Sequence, residues 1–234
     1  MDALARLAAE PGLAAVFLDI DGVLAPIVAR PEDSRVPPET QQALRGLVGR
    51  YALVACVTGR TSETAREIVG VEELTYVGQH GLELEPEAAQ WSERVRAFAA
   101  AAPWEAEHKP FTAAFHYRTA PDQEAAREQL EAIAVAALDE GFRTRWGRMV
   151  LEVLPPVDAT KGTAVRRLLE QHDLHRALYA GDDTTDLDGF AALDGLDVAV
   201  RVAVVSAEGP TELGEQADVV VGSTEAFLEL LRQL

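Results

Sequence analysis

The chain has 234 residues, 48% hydrophobic and 26% charged, enough for a large core and one or two compact domains. Its formal charge of −18 opposes broad contact with a nucleic-acid backbone or an anionic membrane. No apolar run approaches the roughly eighteen residues of a membrane helix. The single cysteine, Cys56, excludes an internal disulfide and fits a reducing cytoplasm, and the first dozen residues lack the pattern of a secretory signal.

Residues 3–9 have helical spacing, with Leu4 and Leu7 on one side. Residues 14–20 read as a buried strand running into an aspartate loop. Pro37, Pro38 and Glu39 open a helix that carries Ala43, Leu44, Leu47 and Val48. A second strand, 52–57, stops at Thr58-Gly59-Arg60, and Thr61 or Ser62 caps the helix that follows. A third strand, 74–77, ends in Gly78-Gln79-His80-Gly81. Three strands separated by helices predict a βαβ architecture.

After Leu84 the rhythm changes. A helix over 88–101, a strand over 111–117, a helix over 122–138 and strands over 142–146 and 149–154 predict a small helix-and-sheet layer. This inserted domain is placed at about 84–156. The first rhythm then resumes: helix 161–170, strand 177–180, helix 187–193, strands 198–205 and 217–221, and a terminal helix 226–231. Residues 1–83 and 157–234 are therefore expected to form one α/β core.

Two apolar strands end in carboxylates, at D-I-D-G-V-L (19–24) and G-D-D-T-T-D (181–186). Clustered carboxylates repel unless a cation sits among them, which makes Mg²⁺ the natural reading. Asp19 can attack phosphorus and form an aspartyl phosphate. Asp21 can protonate the leaving alkoxide and then take a proton from water. Gly22 lets the backbone turn close to phosphoryl oxygens. Asp182 fits a direct metal ligand and Asp186 a holder of bound water or an outer group, with Asp183 able to fill either place; the plainer alternative is a polar turn capping the next helix.

Thr58 can hold a phosphoryl oxygen or cap a helix, and Arg60 can approach the phosphate or contact a surface carboxylate. Arginine outnumbers lysine nineteen to two, so Lys161 stands out. It opens a helix against the dipole, a placement explained if it neutralises Asp19 and the phosphoryl oxygens together; otherwise it is a solvated lysine. In the inserted segment, Lys109, His116, Arg118 and Arg148 could bind phosphate or sugar oxygens. Glu152, turned by alternation away from the face of Leu151 and Val153, could accept bonds from sugar hydroxyls. Each of these taken singly reads first as an ordinary surface residue. Trp91, Trp104 and Trp146 read as packing residues.

D-I-D-G-V-L, T-G-R, K-G and G-D-D-T-T-D, in that order, resemble the four motifs of the haloacid-dehalogenase-like phosphatases. The resemblance implies a Rossmann-like core with a mostly parallel sheet and an inserted α/β cap. It implies Asp19 as nucleophile, Asp21 as general acid and base, and Thr58 and Lys161 as phosphoryl stabilisers. It also implies Asp182 with Asp186 at a metal site that Asp19 and the main-chain oxygen of Asp21 share. Val23 stands where the commonest form has threonine. Y-V-G-Q-H-G-L-E at 76–83, F-H-Y-R at 115–118 and L-E-V-L-P-P…K-G at 151–162 are similar to trehalose-6-phosphate phosphatases.

That family implies Mg²⁺-dependent hydrolysis of trehalose 6-phosphate. Lys109, His116, Arg118, Arg148 and Glu152 would recognise the disaccharide, and Gly78, His80 and Gly81 would shape the core side of the cleft. Leu154 stands where many members carry arginine. The alternatives are another sugar phosphate (sucrose 6-phosphate or mannosyl-3-phosphoglycerate), a sugar phosphomutase, or a non-enzymatic anion-binding module. The expected partner is a small sugar phosphate rather than nucleic acid or membrane. A trehalose-6-phosphate synthase, for which this chain has no room, could bind alongside.

Overall fold

The structure is a computed structural model that describes residues 3–28, 30–147, 149–206 and 209–234. Arg148 lies outside the described residues. Helix α1 (Ala3–Ala9) leads to strand β1 (Ala15–Leu18), all four residues of which are buried. Pro38 begins α2 (Pro38–Val48), where a first-turn proline forfeits no helical hydrogen bond. Strand β2 (Leu53–Val57) is again fully buried. Thr61 caps α3 (Ser62–Val69) by accepting from the Thr64 amide, and β3 (Thr75–Val77) follows.

A 3₁₀ turn over Ala88–Trp91 precedes α4 (Ser92–Ala101), so the helix expected over 88–101 is two pieces. Strands β4 (Glu107–His108) and β5 (Ala113–His116) come next. The Asp122 carboxylate accepts from two amides to start α5 (Gln123–Asp139). Strands β6 (Arg143–Gly147) and β7 (Val150–Leu154) end this segment. A reciprocal bond pair between Thr160 and Thr163 starts α6 (Lys161–Gln171). The chain closes with β8 (Arg176–Gly181), α7 (Asp186–Ala191), β9 (Val198–Val204), α8 (Thr211–Gln216), β10 (Val219–Val221) and α9 (Thr224–Leu231). Strand β4 and helix α8 are additions to the expected elements, and the two residues of β4 are too few for a readable period.

The chain divides into two compact units, Met1–Gly81 with Ala159–Leu234, and Leu82–Asp158. In the first, six strands form a sheet in the order β10-β9-β8-β1-β2-β3, with every neighbouring pair parallel. A parallel sheet needs both faces covered, which explains the unbroken apolar runs. Val16, Leu18, Val54, Cys56, Leu178 and Ala180 pack with Leu7, Leu44, Ile68 and Phe227 from helices on one face. On the other, Tyr179 meets Phe190 of α7 edge-on, with ring centroids 6.0 Å apart. Strand order runs outward in one direction from β1 to β3 and in the other from β8 to β10. The reversal falls between β1 and β8, so the connections leaving their carboxyl ends depart in opposite directions.

The second unit has an antiparallel sheet in the order β4-β5-β7-β6. Phe115, Leu151 and Val153 pack with Leu130, Ile133 and Ala137 of α5. Direct pairing of Glu107 with Ala114, Ala114 with Glu152, and Glu152 with Arg145 sets a row on the opposite face. No helix among the described residues is long and apolar enough to cross a membrane.

Candidate active site

The two carboxylate loops meet at the switch point. Asp19 follows β1 and its amide donates to the Ala180 carbonyl at 3.0 Å, while Asp182 follows the adjacent β8. One carboxylate oxygen from each of Asp19, Asp182 and Asp186 lies within 4.8 Å of the others, and all three residues are buried. Lys161, at the start of α6, is also buried; its Nζ lies 2.8 Å from Asp19 Oδ2 and 2.7 Å from Asp186 Oδ1. The lysine thus faces carboxylates rather than water.

Asp186 is saturated. Its Oδ1 accepts from Lys161 Nζ and the Tyr179 hydroxyl, both at 2.7 Å, and its Oδ2 accepts from the Asp182 and Asp183 amides at 3.0 Å. It therefore holds the loop and the lysine in place. The Asp182 carboxylate, by contrast, has no hydrogen-bond donor among the described residues although the residue is only 8% exposed. A buried carboxylate in that condition, beside Asp19, fits a hard divalent cation. Asp183 stays outside this cluster, its Oδ1 accepting from the Thr184 amide at 2.7 Å.

The electrostatics follow from burial. Burial pushes the Asp19 carboxyl up to about 7, with Lys161 opposing the rise and Asp186 and Asp21 adding to it. Burial pushes Asp182 to about 8, reinforced by Asp19 and Asp186. Burial disfavours the Lys161 ammonium, but Asp186 and Asp19 outweigh it and hold the group protonated beyond the usual lysine range. A dication among the carboxylates would return both aspartates to the ionised form.

Gly22 has φ +81°, and a Cβ there would overlap the Asp182 carboxylate. Glycine is thus required for the close approach as well as for the turn. Thr58 is buried at the end of β2, the strand beside β1. It is not the cap of α3, a place that Thr61 takes. The Asp21 carboxylate is not in the buried cluster; it pairs with Arg60 Nε at 2.6 Å and Nη2 at 2.8 Å. Gln79 and His80 have φ of 50° and 55°, and Gly81 has φ of 102°. In this turn the Gln79 amide donates to the Arg60 carbonyl at 2.7 Å and the His80 amide to the Thr58 carbonyl at 2.8 Å. A Cβ on Gly59 would strike the His80 ring, and one on Gly81 would press on the Thr160 carbonyl, next to Lys161. The turn therefore touches the backbone that carries Thr58 and the backbone that carries Lys161.

On the polar face of the second unit, Glu152 is the hub. Its Oε1 accepts from Lys109 Nζ at 3.1 Å, and its Oε2 from Arg145 Nε at 2.9 Å and Nη2 at 2.5 Å. His116 Nε2 lies 2.7 Å from Glu107 Oε2, a bond that holds Glu107 below the usual carboxylate range. Arg118 is exposed beyond the end of β5. Sequence reasoning missed Tyr179, Ser34 and Arg145. Arg145 was visible only through the β6–β7 register, and Tyr179 sat inside an unbroken apolar strand.

A parallel α/β sheet with carboxylates at its switch point and an inserted antiparallel unit is the fold of the haloacid-dehalogenase-like hydrolases. A haloacid dehalogenase-like hydrolase from Bacteroides thetaiotaomicron shares it at a TM-score of 0.63 and 12% identity, over 94% of this chain and 98% of that one. The C-terminal domain of C. albicans trehalose-6-phosphate phosphatase has a TM-score of 0.76 at 21% identity, over 97% of this chain and 94% of that one. Within that class, the chain belongs to the trehalose-phosphatase family, whose sequence model matches residues 17–106 and 104–218.

The trehalose-phosphate phosphatase of Mycobacterium marinum is 32% identical over 234 aligned residues, covering 86% of this chain and 58% of that protein. An uncharacterized glycosyl hydrolase of Mycobacterium tuberculosis is 33% identical over 216, covering 80% of this chain and 16% of that protein. The chain thus spans between 16 and 58% of the length of the first curated relatives it matches.

Proposed function

We propose that this chain is a Mg²⁺-dependent phosphatase that hydrolyses trehalose 6-phosphate to trehalose and phosphate. The observation that carries the reading is the buried contact of Lys161 with Asp19 and Asp186 beside the donor-free Asp182. Asp19 attacks phosphorus, a carboxylate O–P bond forms, and the ester O–P bond breaks. Asp21 hands its proton to the departing sugar O6. Lys161 and Thr58 hold the phosphoryl oxygens as charge builds on them. Water then attacks phosphorus, Asp21 takes its proton, and the acyl phosphate opens to free Asp19. Mg²⁺, held by Asp19, Asp182 and the main-chain oxygen of Asp21 with Asp186 behind them, would supply positive charge to the phosphoryl group.

Gly22 and the turn carrying His80 and Gly81 would keep room for the phosphate. Sugar recognition is assigned to the polar sheet face of the second unit, with Glu152 accepting from hydroxyls and Lys109, His116 and Arg118 donating. The family match and the M. marinum relative support the disaccharide as substrate. The test is phosphate release from trehalose 6-phosphate, glucose 6-phosphate, sucrose 6-phosphate and mannosyl-3-phosphoglycerate, with Asp19→Asn as the inactive control. Trehalose 6-phosphate is expected to lead in kcat/KM. A tenfold preference for another ester, about 1.4 kcal/mol of transition-state binding, would overturn the assignment, as would an active Asp19→Asn.

A further inference from the structure

Asp21 is held from two sides. Arg60 approaches it as a fork, Nε to Oδ2 at 2.6 Å and Nη2 to Oδ1 at 2.8 Å, while its Nη1 donates to the Pro31 carbonyl at 3.1 Å. Ser34, fully buried, donates its hydroxyl to the same Oδ1 at 3.0 Å. The fork itself is rooted in a constrained turn. The Arg60 amide donates to Thr58 Oγ1 at 3.3 Å, and the Arg60 carbonyl accepts from Gln79 at 2.7 Å, within the left-handed pair Gln79-His80.

A partly exposed ion pair adds little to stability, so stability alone does not account for three donors on one carboxylate. Fixing its direction does. A planar guanidinium bonding both oxygens settles the rotation of the carboxylate plane, which an ammonium cannot do. Ser34 adds a bond from the loop that also carries Pro31, so the 31–34 segment and the T-G-R turn grip Asp21 together. Nε and Nη2 of the guanidinium donate to the Asp21 carboxylate and Nη1 to the Pro31 carbonyl, so the group is engaged by a carboxylate and a backbone oxygen.

We propose that Arg60, assisted by Ser34, is a positioning residue for Asp21: it sets the direction from which that carboxyl exchanges protons and does not itself bind the phosphoryl group. The inference rests on the phosphatase reading above. The two transfers it serves are the proton from Asp21 to the leaving alkoxide and the proton from water to Asp21.

The test compares R60A, R60K, S34A and D21N with wild type, loaded with Mg²⁺. On trehalose 6-phosphate, R60A is expected to lower kcat by about 10- to 100-fold with KM within about threefold, since a misdirected group slows the step it serves. R60K should recover only part of the loss, and S34A, which removes a single buried hydroxyl, should lose about two- to fivefold. p-Nitrophenyl phosphate separates the roles, because p-nitrophenolate leaves without a proton. In a single turnover, R60A and D21N should release p-nitrophenolate as fast as wild type while steady phosphate release falls in both.

Slowed single-turnover release in R60A, or a tenfold rise in KM at unchanged kcat, would make Arg60 a phosphate ligand and overturn the inference alone. Unchanged kcat in both R60A and S34A would overturn it too. A wild type that frees no phosphate from any ester would overturn the phosphatase reading and this inference with it.

Discussion

Replacing Lys161 with methionine keeps a long unbranched side chain and deletes only the charge. In the native arrangement Nζ lies 2.8 Å from Asp19 Oδ2 and 2.7 Å from Asp186 Oδ1, with the lysine side chain 2% exposed and the two carboxylates 8% and 0%. Asp186 would keep three donors, the Tyr179 hydroxyl and two amides, whereas Asp19 would lose its ion pair. Removing one partner of a buried pair costs about 3–5 kcal/mol, because the survivor remains buried and unpaired. For a chain of this size that corresponds to a fall in Tm of roughly 6–20 °C. The assay is thermal unfolding followed by circular dichroism, metal-free, at pH 8.5 and at pH 6. The loss should be smaller at pH 6, where protonated carboxyls no longer need the ammonium, and saturating Mg²⁺ should raise Tm more in K161M than in wild type. Turnover should fall by about 100- to 1,000-fold, in line with loss of one preorganised positive group. A Tm within about 2 °C of wild type at pH 8.5 would refute the reasoning, since the buried Asp19 carboxylate would then not depend on the lysine.

Other consequences are equally direct. Gly22→Ala puts a methyl group into the Asp182 carboxylate at φ +81°, so Mg²⁺ affinity by calorimetric titration should fall by at least about tenfold; an unchanged affinity would remove Asp182 from the metal site. Asp19 and Asp182 are raised from 3.8 to about 7 and about 8, so between pH 4 and 8 the folded state binds more protons than the unfolded one, and metal-free stability should fall as pH rises through that window. Metal needs the ionised forms, so the Tm gain on adding Mg²⁺ should grow between pH 6 and 8.5; a gain that shrinks would contradict the assigned site. Glu152→Ala leaves Lys109 and Arg145 facing each other, and is expected to raise KM for trehalose 6-phosphate about tenfold while p-nitrophenyl phosphate turnover stays level; equal losses on both esters would deny Glu152 a role in sugar recognition.

Much of this protein was legible in one dimension because its signals are local. An apolar run fully buried in a parallel sheet, stopping at a carboxylate, marks β1 and β8 without knowledge of any partner strand. Thr61 announces the start of α3 through a side chain that bonds an amide three residues away. Asp19 and Asp182 stood out because each ends such a strand, and Lys161 because lysine is rare here. What the chain order could not convey was which groups share an oxygen. Sequence leaves Arg60 open between phosphate and carboxylate, and the fold sets it on Asp21, 39 positions away, with Ser34 on the same oxygen. Tyr179 reached Asp186 only because β8 and the loop after it fold back on one another, and Arg145 reached Glu152 only through the antiparallel register of β6 and β7. Local pattern decides which residues end up at a sheet edge. Tertiary structure decides which of them face each other, since a hydrogen bond or ion pair depends on a few ångströms of separation that spacing along the chain does not encode.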